Sequence, residues 1–240
     1  MAAERALVDV GTAREGDLFA GKEANFLATR EPFVKLPVGG HAKRAMDVAG
    51  AAFLIVFFLP LFLLIALAVK VNSPGPVLFG HRRLGHRGAA FKCFKFRTMV
   101  TNSGEVLSEL LARDAAALEE WKSNHKLRAD PRITSFGQFL RKSSLDELPQ
   151  LFNVLLGDMS LVGPRPIVTD EIARYRHYFA DYTAARPGMT GLWQVSGRSN
   201  CDYDRRVQLD VSYVRRWNIA KDFVILLRTV KVVFAREGSC

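Results

Sequence analysis

Two adjacent carboxylates, Asp146 and Glu147, are the side chains of this sequence with the clearest potential for chemistry. They precede a short apolar run in which Pro149 is acceptable only near the first turn of a helix. Both carboxylates are therefore expected at the positive end of that helix, which favours their ionised forms. Ser144 and Glu147 also fit the spacing of a capping box, a structural role that would explain Glu147 but leaves Asp146 unassigned.

Basic side chains flank this pair along the sequence. Guanidinium groups match phosphate oxygens, and Gly85 and Gly88 would let backbone amides approach an anion. Because Mg²⁺ typically takes one or two carboxylates plus substrate phosphates, the combination predicts a phosphate site that carries a divalent metal. Asp158 is either a further acidic residue of this site or the polar residue of a Gly-Asp turn. A solvated basic face is the alternative for the basic set, which comprises Arg83, Lys95, Arg97, Arg132, Arg141 and Arg165.

The composition bounds what the rest of the chain can be. With 240 residues, 49% of them hydrophobic, it can form one compact domain plus an appendage. A formal net charge of +10 favours anionic partners, namely nucleic acid, phospholipid headgroups or phosphorylated substrates. The cysteines Cys93, Cys201 and Cys240 lack metal-ligand spacing, which indicates a reducing compartment without a disulfide framework or a zinc site.

An uncharged apolar run over residues 48–69 is long enough to cross a bilayer core of roughly 30 Å as one helix. Pro60 lies near its middle and predicts a bend, because proline removes a helical hydrogen bond. Seven Lys and Arg residues precede the run and seven follow it closely, whereas a spanning helix usually has a basic bias on one side. The residues leave two alternatives open: a proline-kinked span, or a re-entrant helix that returns to the same face. The run begins too late for a cleavable secretory signal.

The remaining segments predict a mixed globular domain. Residues 76–81 and 91–97 read as short strands around a glycine-bearing turn, and 103–127 as one long amphipathic helix capped by Ser103. Further helices are expected over 149–156, 170–183, 202–217 and 221–238. The last of these has an apolar face and basic residues that could extend toward lipid headgroups, although a core helix is equally consistent. Residues 1–39 show no sustained periodicity and predict a poorly ordered tail.

Several longer motifs occur in order along the chain. They are Lys43-Arg44-Ala-Met-Asp47; Arg83-x-Gly85-x-x-Gly88 followed by Lys95-Phe96-Arg97-Thr98-Met99; Asp130-Pro131-Arg132-Ile133-Thr134; the segments over 144–151 and 157–166; and Arg186-Pro-Gly-Met-Thr-Gly191 with Trp193-Gln194-Val195. In this order they resemble the bacterial sugar transferases, also called monotopic phosphoglycosyl transferases. The likeness covers about residues 41–236, and the length is similar to that of exopolysaccharide-initiating members that transfer galactose- or glucose-1-phosphate to undecaprenyl phosphate.

The resemblance implies an activity and a role for each site residue. Asp146 would attack the sugar-bearing phosphorus of a UDP-sugar, expel UMP and form a covalent phosphosugar-aspartyl enzyme, from which undecaprenyl phosphate takes the sugar phosphate. Glu147 would hold Mg²⁺ beside the diphosphate. Phosphate binding falls to Arg97, Arg132, Arg141 and Arg165.

The resemblance also implies an architecture. The expected fold is α+β and mostly helical: a tail over 1–39, a re-entrant membrane helix over 40–72 broken at Pro60, and over 73–240 a cytosolic catalytic domain with interfacial helices and a small β element. Some members have serine before the proline, where this chain has Leu59, which cannot offer a hydroxyl to a freed carbonyl. The site would face the cytoplasm at the bacterial inner membrane, and phospholipids would contact the anchor residues. The anchor residues are Lys43, Arg44, Asp47 and Pro60. The negative charge of Asp47 would offset the positive charge of Arg44.

Two other functional classes fit part of the pattern. A single-pass membrane protein with a non-catalytic basic domain that binds anionic lipid or nucleic acid would explain the charge and the apolar run. It leaves the ordered motifs unexplained, and the sequence has no helix-turn-helix, zinc or ribonucleoprotein signature, so no nucleic-acid partner is expected. An inactive scaffolding subunit is the third possibility, against which the intact Asp146 and Glu147 pair argues. The identity of the sugar stays open, and a homodimer is only the default expectation.

Overall fold

The computed structural model describes residues 36–124, 127–197 and 202–234. The predicted tail therefore lies outside the described residues over 1–35. Its last four positions are described, and there the amide of Val38 donates to the carbonyl of Ala184 at 3.0 Å while the side chain packs against the main core. Val38 thus already contacts the folded body.

The described chain is mostly helical with two small sheets, which confirms the predicted fold class at that level. The helices are α1 (Gly40–Phe57), α2 (Leu59–Asn72), α3 (Ser103–Arg113), α4 (Ala115–Asn124), α5 (Ser135–Ser143), α6 (Gln150–Leu156), α7 (Ile172–Tyr175), α8 (Phe179–Thr183), α9 (Tyr203–Arg215) and α10 (Ile219–Phe234). The strands are β1 (Leu78–Leu84), β2 (Ala90–Phe96), β3 (Ser160–Val162) and β4 (Gly188–Thr190).

The apolar run is divided between α1 and α2, which meet at Phe58 with a bend of 64°. Pro60 is the second residue of α2, a position where the missing N–H lacks an intrahelical acceptor in any case. The predicted break at the proline is therefore present. No single helix of the described ranges is long and apolar enough to cross a membrane, whereas this bent pair meets the length and composition requirement together.

The chain forms one two-stranded sheet before the segment that carries the carboxylates and a second two-stranded sheet after it. Strands β1 and β2 are antiparallel, with Leu78 opposite Phe96 and Leu84 opposite Ala90, so β1 runs three residues beyond its predicted end. Strands β3 and β4 are parallel. Where these two strands meet, a Cβ on Gly188 would lie 2.0 Å from the backbone nitrogen of Gly163, so only glycine permits this approach.

Two predicted helices are interrupted in the structure. The segment 103–127 breaks at Asp114, whose extended backbone ends α3 and whose side chain accepts the amides of Ala116 and Ala117 to start α4. Ser103 is the first residue of α3 and does not cap it. The segment 170–183 breaks at Arg176, which has φ 49° and ψ −130°. Single-sequence periodicity missed both breaks because the apolar spacing continues across them.

One large apolar core joins the bent helix pair to the rest of the fold. Phe62 and Ile65 of α2 are buried in it with Leu140 of α5 and Leu151 of α6. A smaller aromatic cluster around Tyr175, together with Phe179 and Tyr182, packs under α9. The carboxylate segment lies between α5 and α6, so the main core fixes it relative to the helix pair.

Candidate active site

The predicted carboxylates lie on a single 3₁₀ turn, Leu145–Glu147, between α5 and α6. Ser144 ends α5 in the left-handed conformation, with φ 57°, and reverses the chain into this turn. Its side chain makes no capping hydrogen bond there within the described residues, so the capping-box interpretation is wrong. Pro149 immediately precedes α6, as its missing N–H requires. The two carboxylates are therefore presented by a tight turn and not by the helix itself.

Lys95 is brought to this turn from β2. Its Nζ donates to Glu147 Oε1 at 2.6 Å and lies 3.7 Å from Asp146 Oδ2. Burial alone would lower the pKa of Lys95, but Glu147 and then Asp146 raise it above its usual value, so the ammonium form is favoured. The predicted basic residue and the carboxylate pair thus form one charged cluster.

Asp146 is only 7% exposed, and its burial raises the pKa of the carboxyl. Lys95 and Arg141 act in the opposite direction, while Glu147 adds to the rise. The expectation that the helix end alone keeps this carboxyl ionised is therefore incomplete, since desolvation is the largest influence. The two neighbouring cations supply the compensation that an ionised Asp146 needs.

Besides Lys95, Arg141 is the predicted phosphate binder whose charge acts on Asp146. Its Nε donates to the Thr98 hydroxyl at 2.9 Å, and its charge acts on Asp146. Burial lowers the pKa of Arg141 from its usual high value, and Asp146 offsets part of that effect. Arg141 is therefore positioned by Thr98, at the end of the motif that also carries Lys95.

Two predicted phosphate binders have structural partners instead. Arg132 forms a side-on pair with Asp130, with distances of 2.8 and 2.7 Å, and stacks over Trp121. Arg97 is 8% exposed and donates to the carbonyls of Ser73 and Pro74, which ties the end of α2 to β2. Both guanidinium groups were expected to face phosphate. In the structure, tertiary packing supplies carbonyl acceptors for Arg97 and a carboxylate acceptor for Arg132.

Arg83 and Arg165 both interact with Glu171. Arg83 donates to the carbonyl of Pro166 at 3.3 Å and lies 3.7 Å from Glu171. Burial lowers the pKa of Arg165, and so does the nearby charge of Arg206, whereas Glu171 and Glu147 raise it. The charge of Arg165 therefore interacts with Glu147 of the carboxylate pair. Arg206 is a charged neighbour that the sequence motifs did not indicate.

The glycines expected to admit an anion have other roles. The amide of Gly85 donates to the carbonyl of Ala89 at 2.8 Å, and the amide of Gly88 donates to the carbonyl of Gly85 at 3.0 Å. Both amides thus close the turn between β1 and β2, where Gly88 has φ 70°. These glycines shape the hairpin that presents Lys95.

Asn153 on α6 was missed by the sequence reasoning. Its Oδ1 accepts the amide of Phe94 at 2.8 Å, and its Nδ2 donates to the carbonyl of Lys92 at 2.7 Å. Nδ2 also lies 3.2 Å from Asp158 Oδ2, which confirms the turn interpretation of Asp158. Asn153 joins β2 to the helix after the carboxylates and so sets the position of Lys95. The signal in the sequence was an asparagine within a predicted apolar helix, because a polar side chain buried there needs hydrogen-bond partners.

Three of the predicted anchor residues, Lys43, Arg44 and Asp47, contact other parts of the protein, whereas Pro60 is exposed. Lys43 is 5% exposed and donates to Asp222 Oδ2 of α10 at 2.6 Å, and it lies 3.8 Å from Asp47. Arg44 donates to the carbonyls of Val154 and Leu155 at the end of α6. The expectations that Lys43 pairs with headgroups and that Asp47 offsets Arg44 are therefore wrong, since both cations find buried acceptors within the fold.

Asp47 completes this network on α1. Its Oδ1 accepts the Ser160 hydroxyl and the Leu161 amide, each at 3.0 Å. Asp222, which is fully buried, also accepts from the Tyr213 hydroxyl at 2.7 Å and from the Trp217 indole at 3.0 Å. We call Lys43, Asp47, Ser160, Tyr213, Trp217 and Asp222 the anchor network.

A metal would have few protein ligands. The described residues contain no group of three His, Cys, Asp or Glu side chains that could hold an ion. Asp146 and Glu147 alone fit an ion that takes one or two carboxylates and completes its shell with phosphates, as Mg²⁺ does. The arrangement can therefore hold a phosphate-bound divalent ion, next to a carboxylate that can act as nucleophile.

Comparison with known proteins places these features in a family context. The sequence profile described as bacterial sugar transferase matches residues 38–236. The chain is 54% identical over 198 residues to the undecaprenyl-phosphate galactose phosphotransferase of Salmonella typhimurium, covering 82% of this chain and 41% of that protein. It is 48% identical over 214 residues to the exopolysaccharide production protein ExoY of Rhizobium meliloti, covering 89% and 95%.

A third relative, the UDP-glucose:undecaprenyl-phosphate glucose-1-phosphate transferase of Caulobacter vibrioides, is 43% identical over 205 residues, covering 82% of this chain and 71% of that protein. The match thus spans about two fifths of the Salmonella protein and nearly all of ExoY.

Proposed function

Because the chain belongs to the bacterial sugar transferase family, we propose that it transfers a hexose-1-phosphate from a UDP-sugar to undecaprenyl phosphate and releases UMP. The proposed reaction is the first membrane step of exopolysaccharide or glycoconjugate synthesis, in keeping with the names of its relatives. One observation carries the proposal: a buried Asp146 beside Glu147, with Lys95 Nζ 3.7 Å from the Asp146 carboxylate. A buried carboxylate with a compensating ammonium group is suited to act as the nucleophile that we propose.

The proposed chemistry has two displacements at one phosphorus atom. The Asp146 carboxylate oxygen attacks the sugar-bearing phosphorus, the bond to the bridging oxygen breaks, and its electron pair leaves with UMP. A phosphate oxygen of undecaprenyl phosphate then attacks the aspartyl-bound phosphorus, and the Asp146 carboxylate is the leaving group. Lys95 and Arg141, which already act on Asp146, would compensate the charge that gathers around the phosphorus.

We propose Mg²⁺ as the cofactor of the first step. Glu147 would hold it with Asp146, because adjacent carboxylates suit an ion that takes few protein ligands and several phosphate oxygens. The Glu147 side chain is 43% exposed and so can be reached by a phosphate-bound ion. When bound, the ion would neutralise charge on the departing phosphate. Lys95 holds Glu147 in position on the side facing Asp146.

The proposed location is the cytoplasmic face of the bacterial inner membrane, with α1 and α2 as a re-entrant helix. The 64° bend supports an entry and an exit on one face. Exposed apolar side chains of the two helices would contact phospholipid, and those of α10 would lie at the interface. These side chains include Phe53, Val56, Phe57, Leu63, Leu64, Leu67 and Val71, followed by Phe223, Val224, Leu227 and Val230.

The activity can be tested with the purified full chain in lipid nanodiscs. UDP-galactose and UDP-glucose are each supplied with Mg²⁺ and a polyprenyl phosphate, and UMP release is measured with and without EDTA. We expect UMP release that needs Mg²⁺ and, with donor alone, a mass increase of one hexose phosphate on Asp146. A protein that binds lipid but releases no UMP from any UDP-sugar would support the non-catalytic alternative instead.

The topology has a separate test. Accessibility tags at the two ends of the chain, Ala2 and Cys240, should both report the cytoplasm if the helix pair is re-entrant. A periplasmic signal from the tag at Ala2 would show a kinked span and overturn this part of the proposal.

A further inference from the structure

Arg206 of α9 lies in a mainly aromatic environment, next to the rings of Trp193 and Tyr203. Its guanidinium carbon lies 4.9 Å from the ring centre of Trp193 and 4.9 Å from that of Tyr203, so two aromatic rings pack against the group. The residue is 7% exposed. A guanidinium fixed in this way loses little conformational freedom when a ligand binds.

Two of the three guanidinium nitrogens of Arg206 have no hydrogen-bond acceptor among the described residues. Nη1 pairs with Glu171 Oε1 at 3.7 Å, but Nε and Nη2 are buried and have no hydrogen-bond partner among the described residues. These two nitrogens form the side-on fork that matches two oxygens of one anion. The indole Nε1 of Trp193 is likewise buried and unpartnered over the described ranges. Buried donors without acceptors are rare in folded proteins, and a bound anion would supply the acceptors that these three nitrogens lack.

The surrounding charge favours an anion at this fork. Arg165 lies over the same Trp193 ring at 5.7 Å, and Arg83 shares Glu171 with Arg206 at 3.7 Å. Asp210, one helical turn further on, is fully buried, and desolvation raises its pKa to about 7 despite the hydrogen bond from Tyr175. The three guanidinium groups therefore outweigh the nearby negative charge. Arg165 also interacts electrostatically with Glu147, which links these guanidinium groups to the carboxylate turn.

We propose that the Arg206 fork, with Trp193 Nε1, binds a phosphate oxyanion of one of the substrates. The inference rests on the proposed function for the identity of that substrate. Two sources share the chemistry: the diphosphate of the nucleotide sugar and the phosphate of the lipid acceptor. The fork holds the phosphate through two parallel charge-assisted hydrogen bonds, while Glu171 keeps the guanidinium from turning away.

The test compares two lysine substitutions in the full chain. Arg206→Lys retains the charge but removes the fork, and Arg205→Lys makes the same change on the exposed neighbour. Binding of UDP and of decyl phosphate is measured for both variants and the unchanged protein, with circular dichroism and melting temperature as checks of folding. We expect Arg206→Lys to raise the Kd for one of the two probes by at least about tenfold, and Arg205→Lys to leave both within about twofold.

Each result has a defined meaning. Weaker binding of UDP alone assigns the fork to the nucleotide donor, and weaker binding of decyl phosphate alone assigns it to the acceptor. Unchanged affinity for both probes, or equal losses in Arg205→Lys, would overturn the inference. The proposed function is judged separately by UMP release from the unchanged protein, so failure of one does not imply failure of the other.

A second variant covers the case in which Arg206→Lys does not fold. Trp193→Phe keeps an aromatic ring over Arg206 and removes only the unpartnered indole donor. We expect about a threefold or larger rise in Kd for the same probe, which corresponds to the loss of one neutral hydrogen bond. No change in a folded Trp193→Phe protein would then overturn the inference.

Discussion

The anchor network and the carboxylate turn are both built from buried charges, yet they differ in how completely those charges are matched. In the anchor network, Asp222 accepts from Lys43, Tyr213 and Trp217, and Asp47 accepts from a hydroxyl and an amide. At the carboxylate turn, Lys95 is the one ammonium within 4 Å of Asp146 in the described ranges, and Glu147 remains partly exposed. One cluster is closed and the other is open on one side.

This difference separates two uses of the same residue types. A buried charge with a full set of partners is costly to disturb and fixes the relative positions of helices, here α1 and α10. A buried carboxylate with raised pKa and incomplete compensation is ready to accept a further positive charge or an electrophile. Lys43 was expected beside lipid headgroups and Lys95 beside substrate phosphate, whereas in the structure both ammonium groups pair with carboxylates, Lys43 in the closed cluster and Lys95 in the open one.

The largest expected effect lies at the open cluster. Asp146→Asn should reduce UMP release by about 10⁴-fold or more, because the amide cannot act as the nucleophile. Asp158→Asn is the matched control, since that carboxylate lies in the neighbouring turn and contacts Asn153. Initial rates in nanodiscs, with circular dichroism to verify folding, measure the effect. Substantial turnover by Asp146→Asn would remove the distinction between the two clusters.

The next effect belongs to the closed cluster and concerns stability. Asp222→Asn leaves the buried Lys43 ammonium with Asp47, at 3.8 Å, as its carboxylate neighbour, and the free energy of unfolding should fall by about 3 kcal/mol. Asp181→Asn disrupts an ion pair with the exposed Arg215 and should change stability little. Thermal unfolding in detergent compares the two variants. Equal melting temperatures would show that the anchor network does not hold α10 in place.

The third effect tests how Lys95 serves the nucleophile. Because the positive charge of Lys95 lowers the pKa of Asp146 against its burial, Lys95→Met should raise that pKa further. Asp146 must be ionised to attack, so the acidic limb of the pH–rate profile should move to higher pH, with activity at pH 7 lower by about 10- to 100-fold. Lys92→Met, on the same strand, is the control. A profile that keeps its acidic limb in place would limit Lys95 to a role with Glu147.

The smallest effect concerns Asp210, which belongs to neither cluster. Its pKa is raised to about 7 by burial, so the folded protein keeps the proton while the unfolded chain loses it near pH 4. Stability contributed by the protonated form is therefore full below about pH 4 and is lost as the pH rises to about 7. Asp210→Asn should flatten that part of the melting-temperature profile. An unchanged slope between pH 5 and pH 7 would show that Asp210 does not titrate there.

Local patterns were sufficient for part of the molecule. The apolar run with Pro60, the alternation around the hairpin and the helix after Pro149 each depend on neighbours a few residues apart, so the sequence predicted them. The breaks at Asp114 and Arg176 were missed because a single residue with non-helical backbone angles leaves no trace in periodicity. The adjacency of Asp146 and Glu147 was likewise local and needed no tertiary information.

The partner of each charged side chain was decided only by the tertiary structure. Arg97, Arg132 and Arg165 look alike in sequence, but one binds carbonyls, one pairs with Asp130 and one lies over the Trp193 ring. A guanidinium has five donors and accepts any nearby oxygen, so its role depends on which acceptors the fold brings within about 3 Å. The sequence determined which groups could do chemistry; packing between distant segments determined which of them are free to do it.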